Sequence, residues 1–469
     1  MDGAVLDPPA AYGYLDDDDV LMAEEDEEDH QSVSDEAVDE KEEYPYLNPP
    51  AYGYPDDGER PPFVLMEPYA YFADRDNATT ASCAMRDLGG TLKVTFCIAH
   101  PPLVSYMCVH ATALDHTEFA VEPHIIATET DGGLVLLRLV IGTDPSDIMV
   151  HSEREYFMYD ASVPSLQHLP HPDYQHQFND HSVAIVRKCK KGSQVTSKEE
   201  HDCSNCDYVL AAQSRGFGYT KSSALIMYHS DTETWSNVPV VLYSYPKHRT
   251  YKTLTIGGDK GTVAWVDLWR KIMLCDVLDN RPTLHTLDLP PPISLTSYLG
   301  SGNPQSVRDI AVVGGFIKYV ELQYRRLEGD MSSTFYTWKV AVWSINTVSY
   351  TSDDWHMDYL LNSTEMPESS LPKLRVDEGT AQPTLSTLNI GLPKLSLQDD
   401  GIVYLLAKID YRDNTHIAWV LVVDMRNQTV QKVGEFNSMR TLGLQEGYCA
   451  SRISKYLKGA SGAKQNTRC

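Results

Sequence analysis

The residues in this chain best suited to hold a metal are His201, Cys203 and Cys206, in the run His201-Asp202-Cys203-Ser204-Asn205-Cys206, with Cys189 upstream. A Cys-x-x-Cys pair offers two thiolates to one tetrahedral zinc, and His201 or Cys189 would complete the set. Only one such pair exists, in a polar insertion rich in Lys and Ser, where a surface loop is the simpler reading. His168, His171, His176 and His181 form a looser group in a Pro-containing loop; if the two groups met in space they would share one ion.

Other chemistries find little support. No Gly-x-Ser-x-Gly elbow, His-Glu-x-x-His helix or Walker-type glycine loop occurs. Gly257-Gly258-Asp259-Lys260-Gly261-Thr262 comes nearest to a phosphate loop, but it leads into an apolar run of strand type and reads as a hairpin turn. Asp267 and Asp276, on either side of Trp269, read as turn and strand-end residues bonding to backbone amides, not as an acid–base pair. Arg187-Lys188-Cys189-Lys190-Lys191 is the one locally basic run, short enough to be a solvated loop.

The elements that would position these residues are short, β-rich apolar runs separated by turn residues, which begin at Phe63. One unit recurs five times: an apolar run enters a polar turn, and an aromatic or aliphatic residue then opens the next strand. The copies are Tyr156–Asp160, Ala224–Tyr228, Ile272–Asp276, Val340–Ser344 and Val420–Asp424, each preceded by another strand-like run. Each unit is a β-meander, and recurrence every 45 to 80 residues or so suits radial blades with inserted loops. The expected fold is all-β, a β-propeller of about five to seven blades. The seven tryptophans, all between Trp235 and Trp419, fall mostly at strand ends and are assigned to packing between blades.

Charge is distributed very unevenly. Of the formal net charge of −27, residues 1–60 carry −19 and the rest −8. With proline pairs and only four leucines, residues 1–62 bury too little apolar surface to offset ordering entropy and are expected to form a disordered acidic tail. The tail contains an imperfect duplication: Leu6-Asp7-Pro8-Pro9-Ala10-Ala11-Tyr12-Gly13-Tyr14 recurs as Leu47-Asn48-Pro49-Pro50-Ala51-Tyr52-Gly53-Tyr54, each copy followed within two residues by an Asp pair. It reads either as a recognition element presented twice or as a local duplication in a solubilising tail. A phosphate backbone would be repelled overall, so nucleic acid is not an expected partner. The longest apolar stretches, such as Ile417–Val423, are far below the roughly 18 residues a bilayer span needs, and no secretory signal is seen. Nine cysteines, an odd number, suit reduced thiols in the cytoplasm or nucleus.

Several segments resemble a known family. Asp74-Arg75-Asp76-Asn77-Ala78-Thr79-Thr80, Trp265-Val266-Asp267-Leu268-Trp269-Arg270 with Leu274–Leu278, and Arg308-Asp309-Ile310 with Ile317–Glu321 resemble the plant family called domain of unknown function 1618, which is expanded in grasses. Asp399–Leu405 and Ala418–Leu421 are similar to its later segments. The resemblance implies a grass protein but brings no activity, substrate or catalytic residue. The organisation read here is a tail at 1–62, a propeller-like domain at 63–457 and a flexible C-terminal tail at 458–469. The expected function is a non-enzymatic protein–protein interaction module with an unidentified protein partner, no membrane and no catalytic residue. The alternatives are an enzyme with its site in the propeller channel and a ubiquitin-ligase substrate adaptor lacking its own F-box, for which residues 1–62 are too acidic and leucine-poor.

Overall fold

Aspartates at strand ends set much of the chain's rhythm. Asp160 Oδ1 accepts from Ser162 N at 2.8 Å, and Asp424 Oδ1 accepts from Arg426 N at 2.9 Å and Asn427 N at 3.1 Å. A carboxylate that bonds the backbone two residues on replaces a lost ladder bond and turns the chain. After Asp424 the turn also places Gln428 at φ 53°. Ala418–Asp424, the strand that Asp424 ends, and Ile402–Lys408, which pairs with it, are buried at every position. Such continuous burial means that both faces of the sheet are covered.

The computed structural model describes residues 44–457 except 55–58, 87, 189–205, 215–223, 241–247, 294–301, 327–335, 349–350, 377–378, 413–415, 442–443 and 445–446. Six sheets form a six-bladed β-propeller. The second blade comprises Phe119–Thr128, Leu134–Ile141, Arg154–Asp160 and Ser165–His168, and the third Ala184–Lys188, Asp207–Gln213, Ala224–His229 and Thr234–Pro239. The fourth comprises Lys252–Gly257, Thr262–Asp267, Lys271–Asp276 and Leu284–Asp288, and the fifth Arg308–Val313, Phe316–Arg326, Tyr336–Asn346 and His356–Asn362. The sixth comprises Asn389–Leu395, Ile402–Lys408, Ala418–Asp424 and Thr429–Phe436. Each of these five is an antiparallel meander in sequence order, and each contains one of the five recurring units. Among the described residues there is no α-helix.

The first blade is built differently, from both ends of the domain. Ala81–Ala84, Thr91–Cys97 and Val104–Ala111 pair antiparallel. Val64–Met66 and Tyr71–Phe72 then run parallel to Val104–Ala111, interrupted by a bulge at Glu67–Ala70. Cys449–Ser451 adds antiparallel to Val64–Met66, with Leu65 opposite Ala450. The C-terminal strand thus closes the ring on the N-terminal one, removing two edges that would otherwise be open to pairing with another chain.

The core is correspondingly divided. Six hydrophobic clusters lie one between each pair of adjacent blades, and a seventh small one lies on the first blade. All seven tryptophans pack into the inter-blade clusters. Trp265, fully buried between the third and fourth blades, donates from its indole to Ser182 O at 2.6 Å. A buried side chain of this size contributes on the order of 2–3 kcal/mol by leaving water, and its N–H is satisfied by the neighbouring blade.

Candidate interaction site

The site begins with the second copy of the duplicated element. Within the tail drawn to residue 62, residues 44–54 lie against the first blade, while residues 1–43 and 55–58 are outside the described residues. The reason for the docking is the segment's four tyrosines, a large apolar area in a stretch otherwise poor in it. Tyr52 and Tyr54 pack on the small cluster formed by Tyr71, Cys97, Tyr106 and Cys108. The Tyr52 ring meets Tyr106 edge-on at 5.9 Å, and the Arg75 guanidinium lies 4.7 Å over the Tyr54 ring.

Polar contacts hold the segment by its main chain. Arg75 donates to Pro50 O at 3.0 Å and to Pro49 O at 3.4 Å. It also donates to the Tyr106 hydroxyl. That hydroxyl lies 2.6 Å from Pro50 O and 2.8 Å from Tyr52 O, so its one proton serves either carbonyl. The proline nitrogens carry no proton, so the pair presents carbonyls alone to these two donors. Gly53 has φ +72°, and a Cβ there would stand 3.0 Å from Ile98 O. Both the left-handed backbone and the close approach require glycine. Beneath the segment, hydrogen bonds from Cys108 and then Arg75 and Tyr106 bring the Cys97 thiol down to about 7, against the effect of burial. Cys108, which donates to it, is pushed up.

At its other end the segment reaches the ring closure. The Tyr44 hydroxyl donates to Glu122, and the Tyr46 ring lies 4.1 Å from the Arg440 guanidinium. Arg440 itself sits between Tyr46 and Tyr71 and is buried against Glu67.

A second group of ionisable residues gathers on the leading strands about the axis. Lys252 Nζ donates to Asp309 Oδ1 at 2.6 Å, and Lys394 Nζ is 3.8 Å from the same oxygen. Burial opposes the charge on Asp309, but Lys252 and Lys394 hold its carboxyl below the usual range. Burial drives Lys394 down from its ordinary value, with Lys252 adding to it and Asp309 resisting. Nearby Cys449 is raised by burial. Two lysines thus share one carboxylate. Asp309 Oδ2 has no hydrogen-bond partner among the described residues. Arg452 ties three blades together, donating to Thr130 O at 3.2 Å, Val312 O at 3.1 Å and Leu397 O at 3.0 Å.

The residues singled out for chemistry are dispersed. Cys189, His201 and Cys203 lie outside the described residues, and Cys206 stands just before the Asp207–Gln213 strand. Among the described residues no three His, Cys, Asp or Glu side chains converge as a metal site would require. His168 accepts from Arg86 N at Nδ1, so its Nε2 carries the proton that it donates to Glu155 at 2.6 Å. His176 pairs with Asp173 at 2.6 Å. Asp267 accepts from Trp269 N and Arg249 N, and Asp276 from Thr262 Oγ1. They stand at opposite ends of one strand pair, five residues or roughly 17 Å apart. Gly257, Gly258 and Gly261, all at positive φ, make the turn of a hairpin. Sequence reasoning missed Arg75 and Tyr106 as a binding pair and Lys252, Asp309 and Lys394 as a cluster. The signal for the first was the duplication itself; the second comes from strands far apart in sequence and had none.

Residues 265–404 match the family model described as protein of unknown function (DUF1618). The match covers the Trp265–Arg270, Arg308–Ile310 and Asp399–Tyr404 segments. No curated protein matches the chain. Among solved structures, the chain is similar to the beta-propeller domain of Cps50 (Swd1) from Myceliophteria thermophila, at 8% identity over 66% of this chain and 84% of that one, TM-score 0.28. It is also similar to an ancestral GH74 enzyme, at 12% identity over 80% and 39%, TM-score 0.26. A third likeness is to an alpha-L-arabinanase mutant from Cellvibrio cellulosa, at 12% identity over 67% and 90%, TM-score 0.23. No function is drawn from these likenesses; the six blades rest on the strand pairing itself.

Proposed function

We propose that this protein is a non-enzymatic protein–protein interaction module acting in the cytoplasm or nucleus. The observation that carries the reading is the seat on the first blade, where a Pro-Pro-Ala-Tyr-Gly-Tyr segment, turned at Tyr52-Gly53, is held through its carbonyls and two aromatic rings. Main-chain bonds for affinity and side-chain contacts for selectivity are how folded domains recognise short linear segments. The acidic tail adds electrostatic attraction for a basic protein partner. One form of this role is an adaptor that joins a ubiquitin ligase through a separate F-box protein.

A second reading, an enzyme acting at the axis, draws on Lys394, a buried lysine whose pKa is lowered beside Asp309. Lysines depressed in this way serve as nucleophiles or bases. The Cys189, His201, Cys203 and Cys206 set remains a zinc proposal, and metal analysis of the purified protein finding well under one zinc per chain would end it.

The deciding experiment is affinity purification of the full-length protein after cross-linking in cells. A reproducible stoichiometric partner is the expected result. The absence of any such partner would overturn the module reading and direct attention to the axial lysine.

A further inference from the structure

The seat on the first blade faces two matching sequences in one chain, and only the second is described in place. The atoms that the seat engages are those that the copies share. Pro49 O, Pro50 O, the Tyr52 ring and carbonyl, Gly53 and the Tyr54 ring make the contacts. The corresponding residues of the first copy are Pro8, Pro9, Tyr12, Gly13 and Tyr14. Glycine recurs at the one position where φ is positive and a Cβ would strike Ile98 O. The single extra residue, Ala11, falls beside Ala51, which is exposed in the second copy, so a one-residue bulge there would project toward solvent.

The copies differ where the second makes its additional contacts. Counting back from Leu47 and Leu6, Tyr46 corresponds to Val5 and Tyr44 to Gly3. The first copy therefore has no ring to lay on Arg440 and no hydroxyl for Glu122, contacts that the second copy makes. The second copy is the tighter ligand. Twenty-nine residues lie between Tyr14 and Tyr44, and a chain of that length reaches up to about 100 Å, so the tether does not keep the first copy from the seat.

We infer that the first-blade seat is a recognition site for a Pro-Pro-Ala-Tyr-Gly-Tyr motif, and that residues 6–14 of the same chain are its second ligand, exchanging with residues 47–54. The inference rests on the interaction-module reading and names a ligand for it. The seat is then self-occupied, and whatever draws off the second copy leaves the first to take its place. The two copies compete at a high effective concentration set by the tether.

The test uses the full-length chain and three variants: Gly53→Val, Gly13→Val and both together. Cys97 lies beneath the segment with no exposed surface, so its alkylation by iodoacetamide, read by peptide mass spectrometry, reports an empty seat. In Gly53→Val the second copy is evicted and the first moves in, so Cys97 labelling is expected to stay within about threefold of wild type. In the double variant it rises at least tenfold. A fluorescent peptide of residues 4–16 binds the double variant, but neither wild type nor the double variant further changed at Arg75→Ala. Neither glycine belongs to a described blade strand, and unchanged melting of the blades confirms that folding is intact. Equal labelling of Gly53→Val and the double variant overturns the exchange, as does failure of the peptide to bind the double variant. Should the exchange fail while the wild-type chain still captures a stoichiometric partner, only this inference falls; loss of that partner overturns the module reading independently.

Discussion

Arg440 Nε donates to Glu67 Oε2 at 2.6 Å although the two residues are 373 positions apart, and each side chain is only 2% exposed. Arg440 also donates to Tyr69 O at 2.7 Å, and its guanidinium lies 3.8 Å from the Tyr71 ring. One arginine from the loop after the sixth blade therefore fastens the bulge that interrupts the first. The pair stands beside the place where Cys449–Ser451 adds to Val64–Met66, and it anchors Tyr46 of the docked segment as well.

Replacing Arg440 by Met is expected to destabilise the protein by about 3–5 kcal/mol, the usual cost of leaving one member of a buried pair without the other. Burial already outweighs Arg440 and raises Glu67 above its ordinary 4.5. Without Arg440 it rises further, so above 4.5 the folded chain holds a proton that the unfolded chain has released. Stability of the variant should then fall as pH rises above about 4.5 and recover toward acid. Urea unfolding of wild type and variant from pH 4 to 8 checks this; a deficit independent of pH would contradict it.

His248 provides the opposite sign. Burial, aided by Lys271 and Arg270, lowers it to about 3 from 6.5. Between these values the unfolded chain binds a proton that the fold refuses, so stability drops as pH falls below 6.5. His248→Phe removes that dependence, and the slope of stability between pH 6 and 5 should become shallower by up to about 1.4 kcal/mol per pH unit. Guanidine melts at the two pH values measure it, and an unchanged slope would show that His248 takes up its proton in the fold as readily as in the unfolded chain.

At the axis, Asp309→Asn leaves Lys252 and Lys394 facing each other with the shared carboxylate gone. The expected loss is again about 3–5 kcal/mol. Pairing the change with Lys394→Met should restore part of it, because the remaining Lys252 is partly exposed, 24% on its side chain, and can turn to water. Chemical denaturation of the single and double variants tests the coupling; strictly additive losses would mean that Asp309 and Lys394 do not act together.

Gly132 has φ +90°, and a Cβ there would lie 2.3 Å from Arg452 C, on the stretch that closes the ring. Gly132→Ala should therefore weaken the closure, costing at least about 1–3 kcal/mol from backbone strain alone. Limited proteolysis is the direct measurement: cleavage near Cys449–Ser451 should accelerate in the variant, and an unchanged digestion pattern would show that the closure tolerates the displacement.

What could be read from the sequence was local. The five meanders announce themselves because inner strands buried on both faces become continuous apolar runs, and in two of them because Asp160 and Asp424 end the run with a bond to the following amides. The tryptophans at strand ends announced packing between blades for the same reason. The first blade escaped that reading: its strands come from residues 64–111 and 449–451, and no periodicity links segments so far apart. The docked tyrosine segment was hidden in a stretch whose average composition is that of a solvated polyanion. Averages over sixty residues conceal four aromatic rings that find a matching surface. Strand pattern and turn chemistry are properties of neighbours along the chain. Ring closure, the Arg440–Glu67 pair, the axial lysines and the first-blade seat depend on long-range contacts, which exist only once the blades have packed and water has left the surfaces between them.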